Sequence, residues 1–300
     1  MATLAKEDRY VVLPAPRNRW VAGCLSFARR KPLSAAAAVV LIVFCVLAAL
    51  APVVTTHNPD IGNLLARLQS PSTSHLLGTD EQGRDEWTRI LYGARTSLTV
   101  GLGAALVGTF VGTAFGLVSG YAGGVIDMVI QRVMDAIMAL PGIILLMVLA
   151  TVLSPSLRNV TLAIAVFIVP SAARIVHGAV LSTKEQVYVE AARSVGASPG
   201  RVVVRHILPN VMAPIIIIVS ISVGAAIIIE AALGFLGLSV APPTATWGNL
   251  LNTGAQGYME QAPWLALAPG IAIGVTVFCV NILGDGLRDV LDPRLRGKGK

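Results

Sequence analysis

The sequence predicts an all-α polytopic membrane protein with six transmembrane helices, and three observations predict it. Of its 300 residues, 55% are hydrophobic and 13% charged, and the mean hydropathy is +0.74, which is too apolar for a water-soluble domain. The apolar residues gather into six runs, each near the roughly 20 residues needed to cross a bilayer. The basic residues fall mainly on one side of those runs. With the N-terminus inside, inner segments hold 18 of the 23 Lys and Arg and outer segments hold 5, the asymmetry that orients a membrane chain. The net charge of +7 is therefore read as orientation and not as a nucleic-acid surface. Cys24, Cys45 and Cys279 are far apart with no paired spacing, which argues against a disulfide framework and a zinc site.

Residues 1–32 form a basic, cytoplasmic N-terminal segment ending in Arg29-Arg30-Lys31, and the apolar run within 33–55 is a retained first span rather than a cleaved signal. Residues 56–96 are an extracytoplasmic loop. Its acids Asp80, Glu81, Asp85 and Glu86 alternate with Arg84, Arg89 and Arg95, which predicts a surface helix with charge pairs and no metal, because the arginines neutralise the carboxylates. A core of five further spans covers 97–286, and residues 287–300 are a basic cytoplasmic tail. The second span, 98–121, carries Gly108, Gly112, Gly116 and Gly120 on one face. Such a stripe admits close helix packing, with a lining of the substrate path as the alternative.

Gly123-Gly124 breaks that helix, and residues 125–140 are amphipathic, with Asp127, Gln131 and Asp135 on one side. This predicts a surface helix leading into a third span over 136–153, then a fourth span over 160–177 with Arg174 and His177 reaching the headgroups. A fifth span covers 211–236 and a sixth 265–283. The loop between them contains Trp247 and Trp264 but no Lys or Arg, so it is placed outside, with its tryptophans at the interface.

The one internal polar segment with its own helix signals is 181–210. Ser182 and Glu185 have capping-box spacing and predict a helix start near Thr183. Gly196 stands where a left-handed cap would end that helix, and Ser198-Pro199 would start a second one, closed by Pro209. Tyr188, Ala191, Ala192 and Val195 are expected on one face of the first helix, and Arg201 and Arg205 on one face of the second.

The order Glu190-Ala191-Ala192, then Gly196, then Ile207-Leu208-Pro209 resembles the EAA loop of ABC importer permeases. The wording GTDEQGRD at 78–85, FLGLSVAPPT at 235–244, APWLA at 262–266 and GDGLRDVLDPRLR at 284–296 resembles the dipeptide, oligopeptide and nickel branch of that family. The resemblance implies a type I importer permease fold in a bacterial cytoplasmic membrane, both termini cytoplasmic. It implies a second, homologous permease subunit, two cytoplasmic ATPase domains or subunits that bind ATP and Mg2+, and an extracytoplasmic binding protein. Glu190, Ala191, Ala192, Arg193, Gly196, Ala197, Ser198 and Arg201 would then form the ATPase-coupling loop. The cargo implied is a dipeptide or short oligopeptide, with nickel chelates or haem as alternatives within the family.

Glu230 lies well inside the fifth span and Asn281 near the inner end of the sixth. A carboxylate there is expensive, so Glu230 is read either as a pathway or gate residue or as an internal hydrogen-bonding group. Asn281 is read the same way, with the structural role favoured. The chain contains no G-x-x-x-x-G-K-[ST] phosphate loop, nucleophile elbow or paired-histidine zinc motif. It is therefore expected to hold no cofactor of its own and to be no enzyme. An ion-coupled carrier using Glu230 is the rival from another class, and a membrane enzyme is disfavoured by its scattered titratable groups.

Overall fold

The computed structural model describes residues 27–291. Cys24 and most of the segments 1–32 and 287–300 lie outside the described residues. The helices in chain order are α1 (Pro32–Ala49), α2 (Glu86–Ala122), α3 (Gly124–Met138), α4 (Gly142–Val152), α5 (Leu157–Lys184), α6 (Val187–Ser194), α7 (Pro199–Phe235), α8 (Trp247–Gly257) and α9 (Trp264–Leu291). Among the described residues the only extended pairing is an isolated bridge between Thr79 and Asp85. Helices α1, α2, α5, α7 and α9 are long and apolar enough to cross a membrane, and α3 with α4 makes a sixth if that bent pair counts as one span.

The third span is where the expected rods fail. Residues 136–153 do not form one helix, because α3 and α4 meet at 90°. Pro141 is the reason: it offers no N–H and disfavours helical geometry in the residue before it, and it serves as the N-cap of α4 with ψ 122°. The polar stripe of α3 is used for docking. Asp127 Oδ1 lies 2.9 Å from His177 Nε2, Gln131 Nε2 donates to Ser119 Oγ at 3.0 Å, and Arg174 pairs with Asp135. Arg174 and His177 therefore meet carboxylates of α3.

The glycine stripe joins α2 to α5. A Cβ on Gly108 would stand 2.8 Å from the Ala165 carbonyl oxygen, one on Gly112 2.7 Å from the Ala172 Cβ, one on Gly116 2.6 Å from the Ala173 oxygen and one on Gly120 2.9 Å from the Val180 Cβ. All four positions are at or inside contact distance, so no side chain fits. The stripe is a packing surface, and the pathway reading of these glycines is overturned. Helix α7 covers the pair from one side, with Ile164, Ile168, Ala226 and Leu233 in a common buried cluster.

Helix α8 lies inside what was expected to be a plain loop. Thr246 caps it, its hydroxyl accepting from the Asn249 N–H at 3.2 Å. Gly248 sits so close to α7 that a Cβ would be 2.9 Å from Gly234 Cα. Trp247 is fully buried and is no interface anchor. Its indole N–H donates to the Ile90 carbonyl at 3.1 Å, its backbone N–H to Ser97 Oγ at 3.2 Å, and Phe44 of α1 meets its ring edge-on with centroids 6.3 Å apart. A buried indole needs such a partner, and here it draws α1, α2 and α8 together.

Gly112→Leu is expected to prevent a stable α2–α5 pair, seen as aggregation in size-exclusion chromatography after detergent extraction. Gly178→Ala, where a Cβ meets nothing within 4 Å, should be tolerated or stabilise the helix by up to about 1 kcal/mol. Equal behaviour of the two variants would refute the packing role.

Candidate functional site

Two faces of the bundle carry built polar structure. The first is the segment between α1 and α2. The glycines of Gly78-Thr79-Asp80-Glu81-Gln82-Gly83-Arg84-Asp85 have φ of 75° and 71°, values open to glycine. They let the chain turn so that Asp80 Oδ1 accepts from the Gln82 and Arg84 N–H groups at 2.8 and 2.9 Å, while Asp80 Oδ2 accepts from Arg84 Nε at 2.6 Å. Arg89 approaches the same oxygen at 3.5 Å. Asp85 then caps α2, accepting from the Thr88 N–H and hydroxyl at 2.9 and 2.7 Å. Asp80, Arg84, Asp85, Glu86 and Arg89 are all buried. The expected surface helix is thus a folded ionic knot, and α2 starts at its edge with Glu86. Alternating charge at helical spacing was a misleading signal, because these charges pair through turns.

The second face is the 181–210 segment. No helix starts near Thr183, because α5 runs on to Lys184. The Thr183 hydroxyl bonds back to the Ala179 carbonyl at 2.8 Å, and Lys184 Nζ donates to the Gly120 carbonyl at the end of α2 at 2.9 Å. These bonds hold the last turn of α5 in place, and the predicted capping box between Ser182 and Glu185 does not form. The short helix α6 begins at Val187 with Gln186 as its N-cap.

Its other end follows the sequence reading. Gly196 has φ 80°, its N–H bonds to the Arg193 carbonyl at 2.9 Å, and the Ala197 N–H bonds to the Ala192 carbonyl at 3.1 Å. This is a Schellman stop. Ser198 holds the N-cap position before Pro199 but makes no side-chain cap bond. Pro209 does not close the second helix. A π-turn over Val203–Ile207 shifts the register, with the Leu208 N–H reaching Val203 O, and the helix continues through the proline to Phe235. Arg201 precedes this turn and Arg205 lies within it, and both are exposed.

Helix α6 has two unlike faces. Val189 is fully buried against Val180, Val202 and Ile207, with Ala197 packed on the same cluster. Ala192 is half-buried at the edge of the face it shares with Tyr188 and Ala191. Val187, Tyr188 and Val195 point outward, the two valines 80% and 84% exposed, with Glu190, Ala191 and Gly196 among them. The Arg193 guanidinium lies over the Tyr121 ring, 5.1 Å from its centroid, tying α6 to the end of α2. Val187 and Val189 were missed as members of this site, although their alternation about Tyr188 was visible in the sequence.

Glu230 is fully buried on α7. The Ser239 hydroxyl donates to its Oε1 at 2.9 Å, while its Oε2 is buried without a hydrogen-bond partner. One hydroxyl thus meets the acid, a partner of the kind a buried polar group needs. Asn281 sits elsewhere. It is exposed on α9, with its Oδ1 over Gly224 of α7. The structure does not bring Glu230 and Asn281 together.

A bundle of helices long and apolar enough to cross a membrane, with the short helix α6 docked across one face, defines a multi-pass membrane protein. Residues 112–297 match the family described as binding-protein-dependent transport system inner membrane component, and the chain belongs to that family. A provisionally named peptide transport system permease protein of Brucella suis biovar 1 is 42% identical over 261 residues, 87% of this chain and 88% of the relative. The dipeptide transport system permease protein DppC of Alkalihalophilus pseudofirmus is 41% identical over 89% of this chain and 88% of its own. The glutathione transport system permease protein GsiD of Escherichia coli O1:K1 / APEC is 40% identical over 90% and 89%. The fold also resembles an inward-facing structure of the MetNI methionine ABC transporter, with TM-score 0.56 and 19% identity over 68% of this chain and 96% of that one.

Glu230→Ala strands the Ser239 hydroxyl and opens a cavity, and is expected to destabilise the protein by about 2 to 4 kcal/mol. Glu230→Gln keeps an acceptor and should lose about 1 kcal/mol or less. Thermal unfolding in detergent distinguishes the two, and an unchanged melting temperature in the Ala variant would contradict the hydrogen-bonding role.

Proposed function

We propose that this chain is the permease subunit of an ATP-driven importer of short peptides, coupled to its ATPase subunits through α6. The observation that carries the coupling is the outward face of Val187, Tyr188, Ala191 and Val195, left without a partner while Val189 anchors the helix from below. A rigid short helix with an apolar outer face and a buried root is suited to receive a push and pass it on. Arg193 on Tyr121 supplies a route from α6 into the end of α2, and Lys184 on Gly120 joins the end of α5 to the same place.

Orientation follows from the basic residues, which favour the α6 face and both termini inside. Each round of ATP binding by the partner subunits closes them on α6. The motion is transmitted to α5 and α7, which rock against the bundle of a second, homologous permease subunit, and a binding protein delivers the peptide from outside. The short-peptide assignment is supported by relatives named for peptides, dipeptides and glutathione. ATP and Mg2+ belong to the partner subunits. The full burial of Glu230 and its bond from the Ser239 hydroxyl support an internal structural role rather than proton carriage.

The test uses the assembled complex in nanodiscs. Glu190→Lys, Val195→Asp and Gly196→Val are each expected to leave insertion intact while lowering co-purification of the ATPase, and to reduce ATP hydrolysis stimulated by peptide-loaded binding protein at least about tenfold, the effect of losing about 1.4 kcal/mol of docking energy. Unchanged stimulation in all three would sink the coupling assignment.

A further inference from the structure

The segment between α1 and α2 gathers two histidines and the second oxygen of the α2-capping aspartate, none of which the proposed transport cycle uses. His57, His75 and Asp85 each offer one ligand atom, and these three atoms lie within 4.8 Å of one another. We propose that they form a binding site for a divalent transition cation of the zinc type.

The donor set is the first argument. Two imidazoles and one carboxylate suit Zn2+, Co2+ or Ni2+ and suit Mg2+ or Ca2+ poorly, since the hard cations prefer oxygen. Geometry is the second. His75 Nδ1 and Asp85 Oδ1 are 2.9 Å apart, near the separation of about 3.3 Å that two ligands adopt in a tetrahedral site with bonds of about 2.0 Å. The His57 donor has to close by no more than about 1.5 Å to complete that set, and His57 is exposed on the segment following α1, free to do so. The His57 and His75 rings already lie with centroids 5.0 Å apart.

The surroundings orient the ligands. Asp85 Oδ2 is committed to the Thr88 N–H and hydroxyl, which leaves Oδ1 facing the histidines. The His75 backbone is held in a turn by Ser72, whose N–H donates to the His75 carbonyl at 2.8 Å and whose hydroxyl accepts the His75 N–H at 3.1 Å. Thr56 Oγ1 contacts His57 Nδ1 at 3.2 Å. Such outer partners are what metal-binding histidines and carboxylates require. Charge also favours a cation. Arg84 and Arg89 pair with Asp80 and Glu81, and among the described residues no guanidinium is paired with Asp85. A pocket of about 170 Å³, bordered by Thr56, His57, Ser74, Asp85 and Thr88, opens beside the ligands and leaves room for a water or an external group in the fourth position. A bound ion would tie the end of α1, the turn at His75 and the cap of α2 into one unit.

The experiment uses the full chain purified in mild detergent with a histidine-free tag. Calorimetric titration with Zn2+ should give about one ion per chain, Co2+ should give the visible bands of a four-coordinate nitrogen and oxygen site, and Mg2+ and Ca2+ should give neither. His57→Ala and His75→Ala should each weaken Zn2+ binding at least about 100-fold. Because His57 is exposed, its variant keeps the fold, which circular dichroism verifies. Zn2+ should also raise the melting temperature of the native chain and not that of H57A. Absence of a one-ion Zn2+ isotherm, or equal affinity in the native chain and the His57→Ala variant, overturns the proposal.

Discussion

The structure depends on the approach of α2 to α5. Four glycines at a four-residue interval bring one helix backbone against the side-chain roots and carbonyls of the other. In a bilayer the lipid tails compete with apolar side chains on nearly equal terms, so helices associate through close dispersion contact and weak backbone contacts. Removing side-chain bulk from one helix is the simplest way to increase both. With α2 and α5 fixed as a pair, the other helices acquire a surface to meet. Helix α7 packs along it, and α9 closes over α7 and α1.

Polar residues then set the connections at the ends of that pair through local bonds. At one end Asp80 collects backbone and guanidinium donors while Asp85 caps α2. At the other, Lys184 caps the α2 carbonyl of Gly120, and the stripe of α3 meets Ser119, Arg174 and His177. Inside, Glu230 takes the hydroxyl of Ser239. Few residues of the chain are charged, and several of those near the helices are paired, as the low-dielectric interior penalises a charge left alone. Against this pattern α6 stands out, since among the described residues its apolar outer face has no counterpart.

The sequence by itself determined the helical membrane class and the location of the long spans, since run length and hydropathy depend on composition alone. It also determined the Gly196 stop, which rests on one residue's access to positive φ, and the close-packing face of α2. The tertiary structure alone decided where helices end, bend and hide polar groups. Ser182 and Glu185 have the spacing of a cap, yet α5 runs through Ser182 to Lys184, which bonds to the end of α2, and Glu185 stands at its C-terminus. Pro209 marks a plausible stop, yet a π-turn upstream absorbs it. The charges at 80–89 have helical spacing, yet Asp80 finds nearer partners through a turn. His57 and His75 are 18 residues apart and meet because the segment folds back onto the start of α2. Local patterns state what a stretch of chain permits, whereas the choice among permitted forms rests on partners distant in sequence, whose positions no local pattern contains.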